Sequence, residues 1–389
     1  MPSTITAIIP TYNRAAMLRE CIDSVLAQTR PVDEIIVVND GSTDDTESIV
    51  KSYDDRITLI SKKNGGKSSA LNLALAQCTS DYIWICDDDD IAATDGLESL
   101  ATALDADDTA GFVFGTFKIF HDTAGGRIYT PPTYWKRDEE PSAKMNFFEG
   151  MFTFQFAMLV RRSLYNEVGR FREDLIRSGD YDMAIRLCRE NKAVYVPKVI
   201  FFQRAHEGVR GSRLDSFNAN ENIKKWLQYD QKIFSWIREN YNPEEFTPTF
   251  AEQWDGVRAH RSALVKRACA FAARALWNDA ISDFRHAITS SPASAAPEEL
   301  RMAEVAIRDI LPWLMLGDNL GWVADLRACY RENGYGRRII HATCRPLVWH
   351  ARSMFQKGDI KVGIRMLRIM VSVLGIRGTL NRVSASLFG

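Results

Sequence analysis

The seven cysteines of this 389-residue chain lie far apart, with no C-x-x-C pair and no zinc-ligand spacing among them. That excludes a disulfide-stapled secreted scaffold and a structural zinc module, and a reducing compartment is expected. No stretch approaches the roughly 18 uncharged apolar residues of a membrane span. Met1-Pro2-Ser3-Thr4 runs straight into strand-like sequence, without the basic and apolar regions of an export signal. The expected location is therefore cytoplasmic, with at most peripheral contact at the inner face of a membrane. Charge of one sign is not in excess either: 49 Lys and Arg stand against 50 Asp and Glu. No nucleic-acid partner is expected.

The balanced total hides an asymmetry. Residues 1–110 hold 20 acidic and 8 basic side chains, whereas residues 331–389 hold 2 acidic and 11 basic. An acidic front suits a cation site, and a basic tail suits an anionic surface such as phospholipid. A solvated helix face is the competing reading of the tail. A hydrophobic content of 46% and a charged content of 25% are ordinary for globular domains, and the length gives room for two or three of them.

Strand and helix signals alternate over the first 120 residues. Thr6-Ala7-Ile8-Ile9 reads as a buried strand ended by Pro10, and Arg14–Gln28 as an amphipathic helix. Glu34–Val38, Ile57–Ile60 and Tyr82–Cys86 read as further strands, with helices to about Tyr53 and over Ser68–Gln77. Apolar strands alternating with helices imply a parallel sheet covered by helices, which binds ligands at the carboxyl ends of its strands. Phe112–Phe114 and Thr116–Phe120 look like two short strands, and the polar stretch His121–Ser142 like a mobile loop. After His206 the pattern is helical, so the boundary is expected near 215–220, giving domains 1–215 and 216–389.

One repeat is legible in the helical part. Trp277, Ala280, Ile281, Phe284, Ala287, Ile288 and Pro292 fit the second helix of a tetratricopeptide unit, with Ala268 and Phe271 on the first. Ala351, Met354, Gly358, Ile360, Gly363 and Leu367 form a weaker echo 83 residues on. Any antiparallel helical hairpin also places small residues at its crossings, so the region reads as TPR-like and as a surface for a protein partner.

Four polar clusters fall at strand ends. Pro10-Thr11-Tyr12-Asn13-Arg14 puts an aromatic ring and an amide at a helix start, suited to base stacking and phosphate approach. In Asp40-Gly41-Ser42-Thr43-Asp44-Asp45, Ser42 or Thr43 can cap the next helix, which leaves Asp40 free to accept from a base N–H. Asn64-Gly65-Gly66-Lys67-Ser68 resembles the end of a P-loop, but Ser61 stands where its first glycine belongs. It reads instead as a glycine-rich turn with a lysine near phosphate. The fourth cluster is Asp87-Asp88-Asp89-Asp90. Four adjacent carboxylates repel one another, and a hard divalent cation is the simplest compensation. A solvated acidic turn is the alternative. On an extended segment Asp87 and Asp89 project to one side and can share a ligand.

Together these motifs resemble a family 2 glycosyltransferase of the GT-A fold. Ser178-Gly179-Asp180-Tyr181-Asp182 with Arg186, and then Arg204-Ala205-His206, extend the resemblance to about residues 4–212. It implies a Rossmann-like, doubly wound α/β domain with a mixed sheet, followed by an all-α region. It also implies a nucleotide-sugar donor, UDP-linked by expectation, and a glycan or lipid-linked acceptor. The implied donor site is Pro10, Tyr12, Asn13, Arg14, Asp40, Lys67, Asp87 and Asp88, with Mn²⁺ or Mg²⁺ on Asp89 and His206. Asp180 matches the aspartate of the family's Glu-Asp catalytic pair, but Gly179 replaces the glutamate. That leaves Asp180 or Asp182 as base, with Asp180 preferred by register. Trp135, Phe154, Gln155, Asp182 and Arg186 are the implied acceptor side. Tyr134, Phe147 and Phe148 share that aromatic stretch, where half or more of the rings are expected in the core. The implied chemistry is one inverting displacement, in which a single base suffices. Two other readings compete with it. A nucleotidyltransferase would need a basic, glycine-rich signature near the first strand, which is missing. A binding protein that has lost catalysis finds support only in Gly179.

Overall fold

A computed structural model describes residues 2–132, 141–205, 222–290, 293–307 and 321–387. The chain divides into two compact units, Met1–Arg137 with Gly150–Asn222, and Asp138–Glu149 with Ile223–Gly389.

The first unit is built on a mixed nine-stranded sheet. β1 (Ile5–Thr11) is buried along its whole length, as its continuous apolar run requires. β2 (Glu34–Asn39), β3 (Thr58–Ser61) and β4 (Tyr82–Ile85) lie parallel to it in the order β3-β2-β1-β4. The helices between them are α1 (Ala15–Leu26), α2 (Thr46–Lys51) and α3 (Lys67–Leu75). In α1 the buried Leu18, Cys21, Ile22 and Val25 form the periodic apolar face.

Pro10 does not end β1; it pairs in register with Val38. The Cys86 N–H donates to the Ile8 carbonyl, so Pro10, two residues on, turns its nitrogen toward the same neighbour. β4 has left the ladder there, and the missing N–H forfeits no bond.

β5 (Ile91–Ala92) and α4 (Gly96–Asp105) follow, then β6 (Ala110–Thr123) and β7 (Gly126–Tyr129). β6 is one long strand where two short ones were expected, with register shifts around Phe114, Thr116 and Phe117. Its hairpin with β7 occupies part of the expected loop. β8 (Met158–Arg161) runs antiparallel to β4 and β6, and β9 (Lys192–Arg204) parallel to β6. Between β8 and β9 lie α6 (Arg162–Val168) and α7 (Gly179–Leu187).

The second unit is helical: α5 (Ala143–Glu149), α8 (Asn222–Asn240), α9 (Gly256–Ala272), α10 (Trp277–Ser290) and α11 (Pro297–Ala303), then α12 (Gly321–Glu332), α13 (Gly334–Thr343), α14 (Pro346–Gln356) and α15 (Ile360–Leu387). Phe147 and Phe148 belong to its core and not to an acceptor surface; Phe148 stacks on Phe246 at 4.0 Å. In the α9–α10 hairpin, Ala268, Phe271, Ala280, Ile281, Phe284, Ala287 and Ile288 are buried, and Arg267 pairs with the buried Asp283 through two 2.7 Å bonds. Pro292 is outside the described residues. The weaker echo departs from a repeat at Ile360, which is exposed instead of packed. Among the described residues no helix is long and apolar enough to cross a membrane.

Candidate active site

The strand order β3-β2-β1-β4 reverses direction between β1 and β4. Connections leave the carboxyl ends of these strands on opposite sides, opening a crevice there. Arg14, just beyond β1, spans that crevice. Its guanidinium bonds Asp88 at 3.1 Å and pairs closely with Asp89, both just beyond β4. Burial works against the Arg14 charge, but Asp88, Asp89 and Asp87 outweigh it and raise its pKa.

The acidic run is a turn and not an extended segment, closed by the Asp90 N–H on the Asp87 carbonyl at 3.2 Å. Its side chains still alternate. Asp88 and Asp90 are buried, while Asp87 and Asp89 are half-buried. Asp90 accepts the Arg204 backbone N–H at 2.8 Å. Burial pushes the Asp88 carboxyl up to about 6 against the pull of Arg14, and pushes Asp90 well up with help from Asp89 and Asp87. Half of the run is thus structural. Asp88, expected on the donor, is engaged by Arg14 here.

Arg204 is a residue whose role the sequence reading did not assign. It donates to the Asp89 carbonyl at 3.1 Å and pairs with Asp122 and Glu20, tying the end of β9 to the turn. Its place in the Arg204-Ala205-His206 motif was the available signal.

Asp40 is not free. Its Oδ1 accepts the Gly65 N–H at 2.9 Å and the Lys62 ammonium at 2.6 Å, and its Oδ2 accepts the Gly66 N–H at 2.7 Å. It clamps the turn that starts α3, where Gly66 sits at φ +89, a conformation that favours glycine. Asn13 is likewise engaged: its Oδ1 accepts the Thr43 N–H at 2.7 Å. Ser42 accepts the Asn13 N–H and does not cap α2, whose first residue Thr46 is served by Asp44. Pro10 is buried within its strand. Tyr12 is half-buried and carries no ring contact or side-chain hydrogen bond among the described residues, so its face is available for stacking.

Lys67, the first residue of α3, pairs closely with Asp87. Burial opposes its charge, but Asp87, Asp180 and Asp89 prevail and raise its pKa. Asp180 lies in the first turn of α7, half-buried, with its Oδ1 accepting the Tyr181 N–H at 2.9 Å. Burial lifts its carboxyl above the ordinary range; Lys67 pulls it down and Asp87 pushes it up. Two helix N-termini, those of α3 and α7, therefore meet the acidic turn through one lysine. Asn72 fixes their arrangement: its amide donates to the Phe171 carbonyl and to Glu173, and its oxygen accepts the Phe171 N–H.

Asp182 and Arg186 are not an acceptor surface. Both are buried and pair at 2.8 Å one helical turn apart, and Arg186 also donates to the carbonyls of Val168, Gly169 and Arg170. Phe154 packs edge-on to Phe117 at 5.0 Å. Gln155 is 5% exposed, its Oε1 has no hydrogen-bond partner among the described residues, and it lines the same small space as Asp180. Trp135 and Tyr134, with His206, lie outside the described residues.

Asp87 and Asp89 are hard oxygen donors at the mouth of the crevice. Among the described residues no group of three or more His, Cys, Asp or Glu is gathered for a metal. Two half-buried carboxylates fit Mg²⁺ or Mn²⁺, which are commonly held by one or two carboxylates together with substrate phosphates. Lys67 and Arg14 balance the same charges meanwhile.

A half-parallel sheet with this acidic turn at its switch point defines a GT-A-like domain. Staphylococcus aureus TarS 1-349 in complex with UDP-GlcNAc shares the fold, at a TM-score of 0.52 and 17% identity over 92% of each chain. Residues 6–169 match the model for glycosyl transferase family 2. An uncharacterized glycosyltransferase of Rickettsia typhi is 30% identical over 204 residues, 52% of this chain and 64% of its own. The chondroitin synthase of Pasteurella multocida is 28% identical over 246 residues, 62% of this chain and 24% of its own. The chain thus spans from about a third (34%) to just under two thirds (64%) of the rickettsial relatives it matches.

Proposed function

We propose that the chain transfers a sugar from a nucleoside-diphosphate sugar to an acceptor hydroxyl, with inversion at the anomeric carbon and Asp180 as the general base. The observation that carries this is Lys67, which pairs with Asp87 and acts electrostatically on Asp180, so that the diphosphate side and the base share one crevice. As the acceptor oxygen bonds to the anomeric carbon, the carbon–oxygen bond to the diphosphate breaks and the acceptor proton passes to Asp180. Lys67 and Arg14 would bind the departing anion. A divalent cation on Asp87 and Asp89 would add charge stabilisation there. Tyr12 offers its ring to the base, and Asp40 holds the Gly65-Gly66 turn.

UDP-sugars are the first donors to try, because a solved structure that shares the fold is TarS in complex with UDP-GlcNAc. The relative named chondroitin synthase supports a glycan acceptor. A screen of UDP-, GDP- and dTDP-sugars with Mn²⁺ or Mg²⁺, read as nucleotide binding and donor hydrolysis, tests the proposal. Loss of binding and hydrolysis in Asp89→Ala is expected. No binding of any donor by the unaltered chain would refute the reading.

A further inference from the structure

The helix α15 is apolar on two opposite sides. Met366, Ile369, Met370 and Val373 are buried, whereas Ile360, Ile364 and Val371 are 59%, 42% and 37% exposed. The exposed three are spaced by four and seven residues, which aligns them in one stripe about half a turn from the buried set. Trp349 on the neighbouring α14 is 68% exposed. An apolar stripe left this open on the outer side of a helix marks a surface that something else covers, and Ile360 is its most open residue.

The chemistry around the stripe is cationic. Residues 345–372 contain six Lys and Arg and one acidic residue, Asp359. Asp359 is spent as a cap on the Val362 N–H at 3.3 Å. Lys361 and Arg368 border the stripe on its own helix, and Lys357 sits in the turn before it. None of the three has an ion pair among the described residues. Beside them Arg327 of α12 and Arg368 flank a groove of about 330 Å³ floored by Val323, Ala324 and Ile369.

We propose that this face docks on an anionic lipid bilayer. An apolar helix stripe bordered by cations, with an exposed tryptophan nearby, suits the boundary between headgroups and acyl chains, where the cations meet lipid phosphate. A second copy of the chain fits less well, because a symmetric contact would set these cations against themselves. The proposal is separate from the transfer reaction, since its readout is vesicle binding.

The full chain is sedimented with vesicles of phosphatidylcholine alone and of phosphatidylcholine mixed with phosphatidylglycerol. Binding to the mixed vesicles only, weakened by salt, is expected. At about fivefold per charge, Lys361→Ala with Arg368→Ala lowers the partition coefficient roughly 25-fold. Ile360→Ser with Ile364→Ser also lowers it, by roughly tenfold. Both pairs are on the surface, and an unchanged melting temperature verifies folding. Equal binding to neutral vesicles, or no effect of either pair, overturns the proposal. So does a dimer in analytical ultracentrifugation that both pairs dissociate.

Discussion

Gly179 faces Ser68: a Cβ on it would stand 2.9 Å from the Ser68 hydroxyl oxygen. This contact joins the first turns of α3 and α7, the turns that carry Lys67 and Asp180. A glutamate at 179, as the family resemblance implies, would have to turn the Ser68 hydroxyl aside. Gly179→Ala is expected to lower donor turnover about tenfold at a stability cost of about 1 kcal/mol. Adding Ser68→Ala removes the opposing oxygen and should restore most of both losses. A double-mutant cycle on turnover and melting temperature measures the coupling; independent, additive effects would refute it.

Asp180 and Asp182 are two residues apart, yet their substitutions should fail in different ways. Asp180→Asn removes a base without unpairing a buried ion, so transfer falls by roughly 10³ while nucleotide affinity and melting temperature stay close to those of the parent. Asp182→Asn leaves Arg186 buried with a neutral partner, and a broken buried pair costs about 3–5 kcal/mol. Thermal unfolding alongside turnover separates the two cases. Full transfer by Asp180→Asn would move the base elsewhere.

The raised pKa of Asp180 sets the sign of the pH dependence. A general base works deprotonated, so activity falls as pH drops through its pKa, above the ordinary aspartate value of about 3.9. Lys67 holds that pKa down, so Lys67→Met should move the acid limb of kcat/KM to still higher pH. A limb that stays in place, or moves to lower pH, would show that Lys67 does not act on the base.

The strand ends were legible because buried parallel strands read as unbroken apolar runs, and the polar clusters interrupt those runs where a crevice must open. The acidic turn and Lys67 could be found that way, whereas Asp180 was reached only through the family resemblance. What escaped was the partner of each polar side chain. Asp40 finds the Gly65 and Gly66 amides 25 and 26 residues downstream, and nothing local announces it. Asp182 and Arg186 have the spacing of a solvated helical pair, and only the surrounding tertiary packing buries them. Pro10 carries a reliable stop signal, overridden here because β4 leaves β1 before Pro10 would need an N–H. The extent of β6 was hidden by Gly115, which divides two apolar runs without breaking the strand.

Asp40 offers a discrimination between clamping a turn and reading a base. As a clamp, its loss orphans two backbone N–H groups, at about 1–3 kcal/mol each in a buried setting. Asp40→Ala should therefore lower the melting temperature and weaken UDP, GDP and dTDP alike. If Asp40 recognises the base, preference among the three nucleotides changes instead. Nucleotide titrations by calorimetry decide between these outcomes.

Chelation tests the division of labour within the acidic turn. Asp87 and Asp89 each face a cation at the crevice, whereas Asp88 and Asp90 are buried against Arg14 and the Arg204 amide. EDTA should abolish donor hydrolysis, and Mn²⁺ or Mg²⁺ should restore it. In Asp89→Asn, restoration should need roughly tenfold or more metal, in line with losing one of two charged ligands. Asp90→Asn keeps an oxygen for the Arg204 N–H and removes a carboxyl that burial already holds toward its neutral form. Its metal requirement should remain near that of the parent. If Asp90→Asn and Asp89→Asn raise the metal requirement equally, the four carboxylates act as one cluster and the alternation seen in the turn has no bearing on the metal.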